Sequence, residues 1–181
     1  MTKQAILVID LQNEYLPTGK LPLVGIEEAA DNAEKIIAHA RKNNIQVIHV
    51  QHIFAHGEMP VFEPGSNGIE IQTTVAPIND EVIIVKNYVN SFLHTNLKKI
   101  LDDNKIEDLV IIGAMSHMCV DAAVRAASDF GYKVKVIHDA CATFDLEFNG
   151  FKVPAAYAHA TLMAAFEFAY ATVISTNDYI A

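Results

Sequence analysis

Basic residues are scarce in this chain, with 13 Lys and Arg against 22 Asp and Glu and a formal net charge of −9. A surface this acidic lacks the positive field that nucleic-acid binding needs. With no run of Lys and Arg it also has no means of holding an anionic membrane surface. Long apolar runs are missing: none approaches the ~18 residues of a transmembrane helix. Met1-Thr2-Lys3-Gln4 leads straight into an apolar strand without a signal-peptide cleavage pattern, and no Asn-x-Ser/Thr sequon occurs. Two cysteines, Cys119 and Cys141, do not make a disulfide framework. These absences point to a reduced cytoplasmic enzyme acting on a small molecule. Several signatures are absent too. No Gly-x-Gly-x-x-Gly or phosphate loop supports nucleotide binding, and no Gly-x-Ser-x-Gly offers a hydrolase serine. No His-x-x-x-His on a helix, Cys-x-x-Cys or Asp-x-His offers a metal site, and His49, His52 and His56 lack ligand spacing. No metal and no cofactor is expected.

What is present is enough apolar side chain for a core: 51% hydrophobic and 19% charged over 181 residues, read as a single domain spanning 1–181. Continuous apolar runs at 4–10, 45–50, 81–85, 108–112, 133–137 and 172–175 read as strands buried on both faces. Between them, helical spacing recurs over 25–43, 94–104, 120–130 and 154–168. Alternating strands and helices predict right-handed crossovers. The expected fold is therefore α/β, a three-layer α/β/α Rossmann-like domain with a mostly parallel sheet of about six strands. Two connections, 52–77 and 142–153, are expected to be irregular and to wall a pocket.

In such a sheet, ligands bind beyond the carboxyl ends of the strands. There the chain delivers Asp10, Gln51 and His52, Lys86, the stretch from Gly113 to Cys119, and His138-Asp139. An acid, an amine and a thiol at strand ends can converge in one crevice. Cys119 falls at the start of a predicted helix, whose partial positive charge favours a thiolate, and a neighbouring Lys86 would act in the same sense. Its alternative is an ordinary small buried cysteine, which is also the reading for Cys141. Asp10 fits a proton shuttle for the thiol, and Lys86 fits a counter-charge to both. A Cys119–His117 pair is disfavoured, because side chains two apart at a helix start point apart. Tyr15, Phe92 and His117 are candidate pocket residues; the two aromatic rings equally suit a core.

Ile6-Leu7-Val8-Ile9-Asp10-Leu11-Gln12-Asn13, Val50-Gln51-His52, Pro64-Gly65-Ser66, Val85-Lys86-Asn87-Tyr88, Ser91-Phe92, Thr95-Asn96-Leu97, Gly113 to Val120 and Asp139 to Thr143 resemble the isochorismatase-like cysteine hydrolase superfamily. The resemblance covers essentially the whole chain. It implies a catalytic triad of Asp10, Lys86 and Cys119 and a cis peptide between Ala114 and Met115. It also implies an oxyanion hole formed by the Met115 and Cys119 N–H groups. A homo-oligomer, dimer or tetramer, is implied as well. Nicotinamidases carry Asp-x-His after the second strand where this chain has Gln51-His52, which argues against nicotinamide as substrate and zinc as cofactor. The segment from Gly113 to Ala122 is closer to a branch that includes streptothricin hydrolase. The implied chemistry is cysteine-dependent cleavage of an amide or lactam C–N bond. The alternatives are vinyl ether hydrolysis of the isochorismatase type and a non-catalytic ligand-binding member.

Overall fold

The computed structural model describes residues 3–181. Met1 and Thr2, where the reading of a missing leader begins, lie outside the described residues. Six strands form one parallel sheet: β1 (Gln4–Ile9), β2 (Gln46–His52), β3 (Val82–Lys86), β4 (Asp108–Ala114), β5 (Lys133–Ala142) and, last in the sheet, the strand Thr172–Ile174. Two short strands, β6 (Leu146–Phe148) and β7 (Phe151–Val153), pair separately, so Thr172–Ile174 is β8. The order across the large sheet is β3-β2-β1-β4-β5-β8. This is the expected three-layer α/β fold.

Helix α1 (Ile26–Lys42) covers one face, with Ile26, Ala29, Ala33, Ile36, Ile37 and Ala40 packed against Ile6, Val8, Val110 and Ile112. Tyr179 of the short α5 (Thr176–Ile180) joins that layer. The other face is covered by α2 (Leu97–Asp103), α3 (Asp121–Asp129) and α4 (Ala155–Ala169). Their Leu97, Leu101, Val124, Met163 and Phe166 pack on Ala5, Leu7, Ile9, Ile48 and Ile111. Buried strand residues thus feed both layers alternately, which is why the runs carry no polar alternation.

Three expectations need correction. The fifth strand does not stop at Ile137 but continues to Ala142, because its ladder with β4 resumes as Gly113↔Cys141 after an irregularity between Ile111 and Gly113. The stretch 142–153 is not irregular: it contains the β6–β7 hairpin. The predicted helix over 94–104 begins only at Leu97.

Candidate active site

The strand order reverses direction between β1 and β4, and such a switch point leaves a crevice at the carboxyl ends. Lys86 and His52 are the last residues of β3 and β2, and Asp10 and Cys119 follow the ends of β1 and β4, the four strands being neighbours in space. Parallel register sets His52 directly beside Lys86 and Ile9 beside both Val50 and Gly113. Asp10 carries a left-handed backbone, φ 51°, a conformation an Asp tolerates better than most residues. Its N–H still bonds Val50 O at 3.0 Å while its own carbonyl accepts from Gln12 N at 2.8 Å. The turn ends the strict alternation of β1 and lets the carboxylate meet Lys86. At Gly113 a side chain is excluded: φ is 124°, and a Cβ would lie 2.0 Å from Ile9 O. The chain then passes through a cis Ala114–Met115 peptide into a π turn, Ser116–Val120, that carries Cys119 and leads into α3.

Lys86 Nζ is the hub of the site. It lies 2.8 Å from Asp10 Oδ2, 2.7 Å from His52 Nδ1, 3.2 Å from Cys119 Sγ and 3.1 Å from Tyr88 O. Asp10, Lys86 and Cys119 are all buried. Burial alone would lower the Lys86 ammonium, but Asp10 and Cys119 more than offset it and hold it above its ordinary value. Burial raises the Asp10 carboxyl, with Lys86 opposing. His52 must accept from Lys86 and is neutral, pushed down to about 3 by burial and by the Lys86 charge. Cys119 is raised, first by burial and then by Asp10, against the pull of Lys86. The expected pull of Lys86 toward a thiolate is therefore present but outweighed by burial and Asp10. One ammonium already faces one carboxylate, so a second buried anion has no counter-charge.

Asp10, His52 and Cys119 also offer metal-ligand atoms within 4.8 Å of one another. The position central to them is taken by Lys86 Nζ, which contacts all three.

The remaining sequence candidates separate. Tyr15 is buried with its ring edge on Phe62 at 5.1 Å; burial, then Cys119 and Asp10, raise its hydroxyl well above the usual range, which marks it as close to the cluster. His117 turns away from Cys119: its Nδ1 bonds Thr143 Oγ1 at 2.5 Å and its ring meets Phe144 edge-on at 5.3 Å. Phe92 packs on Phe130 and Tyr132, where α3 passes into β5, and the structure does not bring it to the cluster. Cys141 is buried on β5, its thiol pushed up to about 12 by burial.

Sequence reasoning missed three supports. Gln12, fully buried, donates to His52 O at 2.9 Å and to Ile69 O at 2.7 Å while accepting from His52 N at 2.8 Å. It clamps the end of β2 to the 66–72 stretch. Phe54 and Phe62 stand edge-on to the His52 ring at 4.3 and 5.4 Å. Ser116, on the turn that carries Cys119, bonds His159 Nδ1 of α4 at 2.8 Å. An uncharged Gln two residues after a strand-end Asp was the one local signal for the first; the others depend on contacts distant in sequence.

The model of the isochorismatase domain matches residues 4–178, and the chain belongs to the isochorismatase family of hydrolases. It is 44% identical over 176 residues to YddQ of Bacillus subtilis, an uncharacterized isochorismatase family protein, covering 97% of this chain and 98% of that one. A solved structure from Oleispira antarctica, assigned to the isochorismatase hydrolases, superimposes with a TM-score of 0.95 at 50% identity, covering 99% of this chain and 96% of its own. Streptothricin hydrolase of Streptomyces noursei is 32% identical over 79% of this chain, which spans 51% of that enzyme. Proteins named as amidases are also among the relatives.

Proposed function

We propose that this hydrolase opens an amide or lactam C–N bond of a small molecule through Cys119, Asp10 and Lys86, without a metal. The observation that carries the reading is the contact of one buried ammonium with both the carboxylate and the thiol, at 2.8 and 3.2 Å. In that arrangement a proton can pass from Sγ to Asp10 while the net charge of the cluster stays constant. Lys86 first balances the carboxylate and then the thiolate. Asp10 suits this role because burial has raised it, making it the stronger base. Its Oδ1 is buried with no hydrogen-bond partner among the described residues and is free to accept.

As Sγ bonds the carbonyl carbon, the developing oxyanion is held by the N–H groups of Met115 and Cys119. Groups in the first turn of a helix have no carbonyl partner within it. Collapse breaks the C–N bond, Asp10 returns its proton to the departing nitrogen, and the acyl group remains as a thioester. Water then adds to the thioester and gives a proton to Asp10. The carboxylic acid leaves, and the proton returns to Sγ.

A panel of amides, lactams and vinyl ethers, assayed with the parent and with Cys119→Ala, tests the reading. Amide or lactam turnover that vanishes in the variant, with an acyl adduct on Cys119 detected by mass spectrometry in the parent, is the expected result. Turnover of vinyl ethers alone, undiminished in Cys119→Ala, would replace it with the isochorismatase-type reaction.

A further inference from the structure

Lys86 has more neighbours than protons to give. An ammonium carries three N–H donors, while His52 Nδ1, Asp10 Oδ2, Tyr88 O and Cys119 Sγ all lie within 3.2 Å of Nζ. Three of these stand in line for a hydrogen bond: His52 Nδ1 at 2.7 Å, Tyr88 O at 3.1 Å and Cys119 Sγ at 3.2 Å. Asp10 does not. Its Oδ2 touches the ammonium at 2.8 Å as an opposite charge, yet both carboxylate oxygens are buried without a hydrogen-bond partner among the described residues. An ionised carboxylate is the strongest acceptor of the four, and on charge alone it would claim an N–H. Another group must set the direction of the ammonium.

Two of the aligned acceptors are fixed by the fold and keep their state during the reaction. Tyr88 O belongs to the backbone. The His52 ring is held at its root by Gln12, which bonds the His52 N–H at 2.8 Å and its carbonyl at 2.9 Å. Phe54 and Phe62 stand edge-on to the ring at 4.3 and 5.4 Å. Burial and the Lys86 charge push the imidazole down to about 3, so it offers Nδ1 as a lone pair and adds no second positive charge. Its Nε2 is buried with no partner among the described residues. A Phe or Leu would fill this space without leaving a polar atom unpaired, so packing alone does not account for an imidazole here.

We propose that His52 is a positioning residue for Lys86: its Nδ1 takes one N–H, Tyr88 O takes another, and the third is thereby turned onto Cys119 Sγ and withheld from Asp10. Two fixed bonds at a tetrahedral nitrogen leave the third no freedom of direction. The inference rests on the roles proposed above for Asp10, Lys86 and Cys119. Asp10, with an oxygen within 4.8 Å of Sγ, then acts as a base whose lone pairs are free. When the proton passes from Sγ to Asp10, the thiolate meets an N–H already aimed at it. Without the Nδ1 lone pair the ammonium turns an N–H to the carboxylate. Asp10 becomes a weaker base, and the thiolate loses its donor.

Alkylation of Cys119 by iodoacetamide across a pH series, read by mass spectrometry of the full chain, tests the inference without a substrate. Among the described residues, Asp10, Lys86 and Tyr15 are the titratable groups coupled to Cys119; His52 faces Lys86, and His117 of the same turn bonds Thr143 instead. His52→Phe keeps a ring and removes the lone pair. It is expected to slow alkylation at neutral pH about tenfold or more, with the profile moved upward, and to lower kcat by a similar factor while KM stays within about threefold. His52→Asn, whose Oδ1 can lie where Nδ1 does, is expected to restore the profile even if it unfolds as readily as His52→Phe. An unchanged profile in His52→Phe, or equal shifts in both variants, would overturn the inference, while the nucleophile itself is decided separately by Cys119→Ala. Should His52→Phe not fold, histidine nitrogen NMR spectra of the parent still decide. The His52 ring is expected to carry its proton on Nε2 alone from about pH 5 to 9. A proton on Nδ1 in that range would overturn the inference.

Discussion

Lys86 decides the protonation of its two neighbours. With His52 neutral, it is the single positive charge among the described residues that contacts both Asp10 and Cys119. Lys86→Met leaves a desolvated carboxylate and a desolvated thiol with no counter-charge, so both should bind protons more tightly. Alkylation of Cys119 by iodoacetamide is expected to slow at neutral pH, with its profile moved upward, and amide turnover to fall by about a hundredfold or more. An unchanged alkylation profile would mean that the amine does not govern the thiol. Cys141→Ala is expected to keep full turnover, because that thiol bonds to the backbone of Gly113 and lies outside the Lys86 cluster. Equal losses in Cys119→Ala and Cys141→Ala would undo the assignment of the nucleophile. Since Lys86 Nζ fills the space among Asp10, His52 and Cys119, exhaustive EDTA treatment followed by desalting should leave turnover intact. Activity lost there and restored by zinc would show that the lysine yields its place to a metal.

At the scale of elements, the site depends on how four strands end. Gly113 is the tightest of these ends, with its Cα against the carbonyl of Ile9 and a φ of 124°. Gly113→Ala must either separate β4 from β1 or strain the backbone. It is expected to cost a few kcal/mol of unfolding free energy in a denaturant titration; a variant as stable as the parent would show that β4 can shift freely. The strands themselves were legible because both faces of the sheet are covered, leaving continuous apolar runs such as 4–9 and 108–112. The Asp10, Lys86 and Cys119 juxtaposition was legible for the same reason, as each follows such a run. The continuation of β5 was hidden by His138 and Asp139, whose polarity interrupts the run although the ladder goes on. The hairpin was hidden by its three-residue strands, although Asn149-Gly150 is a direct turn signal. α5 announced itself only through Ser175 and Asp178, a reciprocal cap three residues apart. The neutral state of His52 was not legible, because it follows from the β2–β3 register and from Phe54 and Phe62.

Across the whole molecule, buried histidines and an ion network make stability depend on pH. Away from the Lys86 cluster, Arg41 at the end of α1 donates to both oxygens of Glu81 at 2.8 Å, and His49 within β2 meets Glu81 Oε2 at 3.1 Å. Partial burial would raise the Glu81 carboxyl, but Arg41, the Ile78 N–H and His49 outweigh it and bring it down to about 2. A carboxyl lowered on folding contributes stability above its unfolded value near 4.5, and that contribution is lost as pH falls toward 2. His52, lowered to about 3, and His49, also lowered by burial, act in the same sense from about 6.5 downward, since the unfolded chain takes up their protons first. Asp10, raised by burial, works in the opposite direction. His117 and His159, lowered by burial as well, add to the first sense, and together these groups predict a domain that is most stable near neutrality and weakens steadily on acidification. Glu81→Gln removes the lowest of these steps, about 3 kcal/mol at most. Denaturant midpoints measured at pH 7, 5 and 3.5 should therefore fall less steeply below pH 5 in the variant than in the parent. The slope between pH 6.5 and 5 should remain, because the histidines set it. Parallel curves over the whole range would show that the Arg41–Glu81 pair does not hold α1 to the edge of the sheet in solution.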